Sequence, residues 1–189
     1  PDRLPSLSLM SGTLSSESLA LLPSSLKWLS LHTINDEIGL RLAQLPRLAY
    51  LTVRECGTLS PETCKMLPQT LRTFNFHATI FTSLDCISNL PSIESISIRQ
   101  PSFPGKAPQA TPLSTFEGAQ RLPLSLKRIS TYSNELATVD FVYGLQRLVN
   151  LESLSVTSLI CLPETTLLRL PPNLRTLNIR LGSLGQVED

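Results

Sequence analysis

The chain has 189 residues, of which 41% are hydrophobic, so it is long enough to form the core of one ordinary domain. Its 16 Lys and Arg residues nearly balance its 15 Asp and Glu residues. The resulting net charge of +1 argues against sequence-independent nucleic-acid binding, which usually needs a large basic excess. The sequence contains no run of about 18 apolar residues, so we expect no insertion into a membrane.

A short apolar frame recurs eight times along the chain, with apolar residues at its first, fourth and sixth positions. In chain order the frames are Leu4/Leu7/Leu9, Leu26/Leu29/Leu31, Leu48/Leu51/Val53, Leu71/Phe74/Phe76, Ile93/Ile96/Ile98, Leu126/Ile129/Thr131, Leu151/Leu154/Val156 and Leu174/Leu177/Ile179. Apolar residues that alternate with polar ones are typical of a strand with one buried face. The frames therefore predict eight short strands. Because Thr131 replaces an apolar residue, we expect the sixth repeat to be the loosest.

The segments between the frames change to helical spacing. Ser60 is suited to cap a helix and Pro61 to occupy its first position, where the missing N–H costs nothing. Similar segments cover 36–45, 83–90 and 138–148. Prolines at positions 23, 46, 68, 91, 123 and 171 are expected to end each helix before the next strand.

The frames start 22, 22, 23, 22, 33, 25 and 23 residues apart, and a longer repeat of 45 residues joins them in pairs. Residues 12–33 and 57–78 are identical at nine of 22 positions without a gap. The frame and its spacing resemble the leucine-rich repeat superfamily, in particular its Pro-punctuated LPxxLxxLxL repeats. The resemblance implies an α/β solenoid with a parallel β-sheet on the concave face. Short helices or 3-10 turns would then cover the convex face of about eight repeats.

The resemblance covers nearly the whole chain, so we expect a single solenoid over 1–189 that is a fragment of a longer array. The Asn or Cys that the family places five residues after the second Leu of the frame is mostly absent here. The segment 99–121, rich in proline, is expected to form an irregular insertion between repeats five and six. Neither end carries a polar cap, so further repeats or a partner should cover the ends.

The non-apolar frame positions are predicted to face the concave side, where equivalent residues of neighbouring strands form columns. One column holds only small polar residues, which either relieve crowding on a curved sheet or give a partner a flat polar floor. Trp28 and Tyr50 are neighbours in a second column, and the middle of a third alternates His and Arg. Aromatic residues beside Arg are typical of binding hot spots, although they also fit a solvated edge on which an aromatic ring merely covers its neighbour. The candidate partner-binding residues are Trp28, His32, Tyr50, Arg54, His77, Arg99, Arg128 and Tyr132.

The four cysteines form neither a CxxC pair nor a metal-ligand spacing, so buried free thiols are the expected state. Together with the absence of an Asn-x-Ser/Thr sequon, they favour an intracellular setting. No phosphate-binding glycine loop, HExxH or GxSxG motif is present, so we expect no enzyme activity, cofactor or metal. The sequence favours a protein-interaction scaffold or adaptor whose partner carries an acidic segment. The alternatives are the substrate-recognition arm of a multidomain enzyme, such as a ubiquitin ligase component or effector, and a structural subunit of a large assembly.

Overall fold

The computed structural model describes residues 4–9, 16–56, 59–78, 85–99, 116–132, 139–158 and 164–181. Strands and short helices alternate along these residues. The strands are β1 (Ser6–Ser8), β2 (Trp28–Ile34), β3 (Tyr50–Cys56), β4 (Thr73–Ala78), β5 (Ser95–Arg99), β6 (Arg128–Tyr132), β7 (Ser153–Ser158) and β8 (Thr176–Leu181). The helices are α1 (Ser16–Ala20), α2 (Asp36–Leu42), α3 (Pro61–Met66), α4 (Asp85–Ser88), α5 (Phe116–Gln120), α6 (Val139–Leu145) and α7 (Glu164–Leu167).

The eight strands form one sheet in chain order, and every neighbouring pair is parallel. Each frame predicted from the sequence supplies one strand of this sheet. A single open parallel sheet with a short helix after each strand is the architecture of a leucine-rich-repeat solenoid. The predicted fold class is therefore confirmed.

The core lies between the sheet and the helices. All frame residues of repeats two to seven are at most 2% exposed, and Ile38, Leu42, Phe141 and Leu145 of the helices belong to the same apolar cluster. Burying one such side chain stabilises the fold by about 1.5–3 kcal/mol. Since the helices cover the face of the sheet that carries the frame residues, the opposite, concave face is left open.

A recurrent turn leads into each of the strands β2 to β8. The backbone N–H of the first frame residue donates to the carbonyl three residues earlier, as in Leu26 to Pro23 and Leu48 to Leu45. This earlier residue is alternately Pro and Leu over seven successive repeats. The 45-residue double repeat therefore corresponds in the structure to two alternating versions of this turn. In the version that contains Pro, the proline ring fixes the backbone φ.

Helices α2 and α3 are joined at their starts by Asp36. The carboxylate of Asp36 accepts a hydrogen bond from the backbone N–H of Ser60 at 2.7 Å. Ser60 in turn caps α3 by accepting from the N–H of Thr63 at 3.2 Å. The Ser60 backbone N–H, followed by the Thr63 and Ser60 hydroxyls, holds the pKa of the Asp36 carboxyl below its ordinary value of 3.8.

Acid is expected to weaken this link between the two helices. Because the folded-state pKa of Asp36 is depressed, its contribution is fully present above the unfolded pKa and is lost as the pH falls through the folded pKa. Asp36→Asn should therefore lower Tm at about pH 7 and reduce the loss of Tm below about pH 4. Thermal unfolding across this pH range measures both effects, with the exposed neighbour Glu37→Gln as the control. An acid-induced loss of Tm as large in Asp36→Asn as in the parent chain would contradict the role of Asp36.

The sixth frame contains the exception noted in the sequence. Thr131 is 1% exposed, and its hydroxyl has no hydrogen-bond partner. A buried hydroxyl left unsatisfied costs about 1–3 kcal/mol. Val has nearly the same shape, so Thr131→Val should raise the free energy of unfolding by about 1 kcal/mol. That the sixth repeat is the loosest stays a prediction.

Urea unfolding measures the effect, and the reverse substitution provides a control. Val53 occupies the equivalent frame position in β3 and is fully buried. Val53→Thr should lower the free energy of unfolding by about 1–3 kcal/mol. A lower free energy of unfolding for Thr131→Val would contradict this prediction, because it would mean that the Thr131 hydroxyl has a hydrogen-bond partner.

Two of the cysteines correct the sequence-based expectation. Cys64 of α3 and Cys86 of α4 form a disulfide, with their Cα atoms 4.2 Å apart. They are 22 residues apart, and each stands seven residues before the next frame, so the stacking of repeats places them side by side. The prediction of free thiols was wrong for this pair, because it considered spacing along the chain and not between repeats. One of the two reasons for an intracellular setting is thereby removed.

Candidate concave-face interface

The first residue of each strand forms a continuous ladder across the concave face. Strand pairing aligns Ser6, Trp28, Tyr50, Thr73, Ser95, Arg128, Ser153 and Thr176. Trp28 and Tyr50 are direct neighbours in this ladder; Tyr50 is 44% exposed and Trp28 is half-buried. Arg128 is exposed and is the only charged member of the ladder.

A second ladder, two residues further along each strand, holds only small polar side chains. It aligns Ser8, Ser30, Thr52, Asn75, Ser97, Ser130, Ser155 and Asn178. Ser30 is 5% exposed, while Thr52, Asn75, Ser97, Ser130 and Ser155 are partly exposed. These residues form a floor without large side chains between the first ladder and the strand ends. Such a floor lets a partner backbone approach the sheet closely.

The third predicted column is interrupted in the structure. His77 pairs with Arg99, and Arg99 with Tyr132. The pairing of β3 with β4 shifts register between Val53 and Cys56, so Arg54 does not pair with His77. Arg54 is exposed and His32 half-buried. The sequence pattern did not show this shift, because the frames align only the residues up to the sixth frame position.

An aromatic–basic contact on the concave face lies at the ends of β5 and β6. The Arg99 guanidinium is 5.2 Å from the centroid of the Tyr132 ring, in cation–π geometry. Tyr132 is 40% exposed, and Arg99 is exposed beside it. Arg128, at the start of the same strand as Tyr132, places a second positive charge on this face. We call Arg99, Arg128 and Tyr132 the β5–β6 cluster.

The candidate residues therefore fall into two groups. Trp28, His32, Tyr50 and Arg54 lie on β2 and β3, whereas the β5–β6 cluster lies further along the solenoid, with His77 on β4 between them. Three strand spacings of about 4.8 Å separate Tyr50 from Arg128 in the first ladder, or about 14 Å. A single side chain cannot contact both groups, but an extended peptide of about five residues is long enough to reach from one to the other.

Charge is distributed unevenly around the sheet. Just before the strands, Glu94 pairs with both Arg72, at 3.5 Å, and Lys127, at 3.2 Å. Within the eight described strands, by contrast, Arg54, Arg99, Arg128 and Arg180 are accompanied by one acidic residue, Glu55. The concave face therefore carries net positive charge although the whole chain is nearly neutral.

Sequence reasoning missed the ion-pair row that precedes the strands. The residues immediately before β4 to β8 alternate in sign, as Arg72, Glu94, Lys127, Glu152 and Arg175. This alternation is visible in the sequence once the frames are aligned. It neutralises charge at one edge of the sheet and leaves the arginines of the concave face as the dominant local charges.

Other predicted features lie partly outside the described residues. Of the insertion at 99–121, residues 100–115 are outside them, as is Cys161, one of the four cysteines. Within the part of the chain that the structure describes, no group of three or more His, Cys, Asp or Glu residues is suited to hold a metal ion. Nor do the described helices, of which α2 and α6 have seven residues each, include one long and apolar enough to cross a membrane.

The fold and this face define the class of the chain as a leucine-rich-repeat solenoid with an open, basic, partly aromatic concave face. No protein-family model matches the chain, and no curated protein is similar to it in sequence. Among solved structures, the chain is similar to an internalin (inlF) from Listeria monocytogenes, with a TM-score of 0.47 and 13% identity. The similarity covers 84% of this chain and 55% of the internalin, so the chain spans about half the length of that protein.

Proposed function

We propose that this chain is a non-enzymatic scaffold of the leucine-rich repeat superfamily that binds another protein on its concave face. The observation that carries the proposal is the exposed β5–β6 cluster, in which the Arg99 guanidinium lies over the Tyr132 ring and Arg128 stands at the start of the same strand as Tyr132. Arg and Tyr are enriched at binding hot spots, because each provides a large contact area together with a polar group. Here both types stand next to a floor of short side chains.

The partner is an acidic segment in extended conformation. Arg54, Arg99 and Arg128 supply the positive charge, and the segment runs across the strands towards Tyr50 and Trp28. Complementary charge increases the association rate and selects against basic partners, whereas the aromatic residues contribute most of the affinity. Nucleic acid does not fit this arrangement, since the face carries few basic residues for a phosphate backbone.

The experiment begins with peptides selected from a random library for binding to the parent chain. Selected sequences are expected to be rich in Asp and Glu. Arg99→Glu/Arg128→Glu should weaken their binding by at least about tenfold, which corresponds to about 1.4 kcal/mol. Tyr50→Ala tests the other group of residues, with an expected loss of about 2 kcal/mol if it is a hot spot. Fluorescence anisotropy measures each dissociation constant.

A double charge reversal on the convex side is the matched control. Arg41→Glu/Lys65→Glu changes the net charge equally but lies on exposed positions of α2 and α3. Binding should be unchanged in this variant. An equal loss in both double variants would show that overall charge, and not the concave face, determines binding.

The structural-subunit alternative has one specific observation in its favour. Leu177 in β8, the last described strand, is 38% exposed, whereas its counterparts in repeats two to seven are at most 2% exposed. Further repeats or a partner covering this end would bury Leu177. Light scattering tests this, since Leu177→Glu should reduce any self-association of the chain, and a monomer without the substitution would speak against it.

A further inference from the structure

A cleft opens on the helix side of the solenoid, away from the proposed concave interface. It has a volume of about 390 Å³ and lies where α5 and α6 end and just beyond α7. Its lining residues are polar or small and belong to three successive repeats: Gln120, Tyr143, Gly144, Gln146, Arg147 and Arg169. The volume is at the lower end of the range of small-molecule sites, about 300–1,000 Å³.

Two arginines dominate the chemistry of the cleft, and both are held in place. The Arg169 guanidinium lies 5.1 Å from the centroid of the Tyr143 ring, in cation–π geometry. Arg147 donates from Nη2 to the carbonyl oxygen of Leu122 in the preceding repeat. Both guanidinium groups are therefore ordered before any ligand arrives, which lowers the entropic cost of binding.

Among the side chains that the structure describes, no ion pair joins Arg147 or Arg169 to a carboxylate. None of the cleft residues carries a carboxylate, and the ion pairs seen there involve Arg72, Glu94 and Lys127 on the sheet side. Arg147 is half-buried, and its Nε is buried without a hydrogen-bond partner. A partly desolvated cation that lacks a counter-charge favours the approach of an anion. Asp140, the acidic residue of α6, stands in the first turn of that helix, whereas the cleft lies at its end.

We propose that this cleft binds a small oxyanion, a carboxylate or phosphate group, between Arg147 and Arg169. The planar guanidinium offers paired N–H donors that match two oxygens of either group. The side-chain amides of Gln120 and Gln146 add neutral donors. The site is independent of the concave face, because its residues belong to the helices and turns behind the sheet.

Nuclear magnetic resonance of the arginine Nε–Hε groups tests the proposal. Sodium succinate and inorganic phosphate serve as separate probes, and sodium chloride at equal ionic strength gives the baseline. We expect the Arg147 and Arg169 signals to shift saturably with at least one probe, and the stronger probe identifies the ligand class. Arg169→Gln should weaken that binding by about tenfold or more, and Arg169→Lys, which keeps the charge without the paired donors, by less.

The control variant is Arg175→Gln, an exposed arginine outside the cleft, which should leave the titration unchanged. Tm shows whether each variant remains folded. Shifts no larger than those with chloride in both arms would overturn the proposal, as would saturable shifts that persist unchanged in Arg169→Gln. Because no concave residue is altered, failure here leaves the proposed protein-binding function untouched.

Discussion

Replacing Phe74 with Ala is expected to lower the free energy of unfolding by about 3–5 kcal/mol. Phe74 in β4 is 1% exposed and Phe76 is fully buried, with their ring centroids 4.8 Å apart. They fill the middle of the array, where β4 lies between β3 and β5. Truncation would leave a cavity that neighbouring repeats cannot fill without moving strands bonded on both sides.

The position within the solenoid increases this effect. Each repeat contacts only its neighbours, so stability is approximately a sum of repeat and interface contributions. A cavity at β4 weakens the interfaces with both β3 and β5. Urea unfolding measures the loss, with Leu21→Ala as the control, because Leu21 is 85% exposed and should change stability by less than about 0.5 kcal/mol. A loss below about 1 kcal/mol for Phe74→Ala would mean that the core at β4 is loosely packed.

Reduction of the Cys64–Cys86 disulfide is expected to lower the free energy of unfolding by about 3 kcal/mol. The bond closes a loop with a sequence separation of 22, and the chain-entropy relation gives this magnitude for a loop of that size. The bond joins α3 to α4 on the convex side, between repeats whose strands are already paired. Its loss therefore acts mainly by restoring freedom to the unfolded chain.

Two measurements check the disulfide prediction. Thiol titration of the denatured, unreduced chain should find two fewer thiols than the four cysteines of the sequence. Tm should fall when a reductant is added, and the double variant Cys64→Ala/Cys86→Ala should be insensitive to it. Four titratable thiols would refute the bond. A confirmed bond would favour an oxidising compartment, since persistent disulfides are rare where glutathione keeps thiols reduced.

The outcome at the candidate interface shows which parts of a repeat protein are predictable. The first two ladders follow from the frames alone, because a period of two places every second residue on the same face of a parallel strand. The spacing of the frames alone therefore predicts that Trp28 and Tyr50 are neighbours. The third column is different, because it lies where strands end and loops of unequal length begin. There Arg99 meets Tyr132 across a gap of 33 residues, whereas Arg54 is separated from His77 by a register shift.

By itself, the sequence determined that this chain is a solenoid of eight parallel strands with one open face. The physical reason is that each frame can bury its apolar face only by stacking on similar frames in the neighbouring repeats. This stacking determines how the core is arranged. Only the tertiary structure decided the pairing of Cys64 with Cys86, the β5–β6 cluster and the cleft between Arg147 and Arg169. These features depend on distances between side chains of adjacent repeats. Loop lengths and local register set those distances, and no single repeat encodes them.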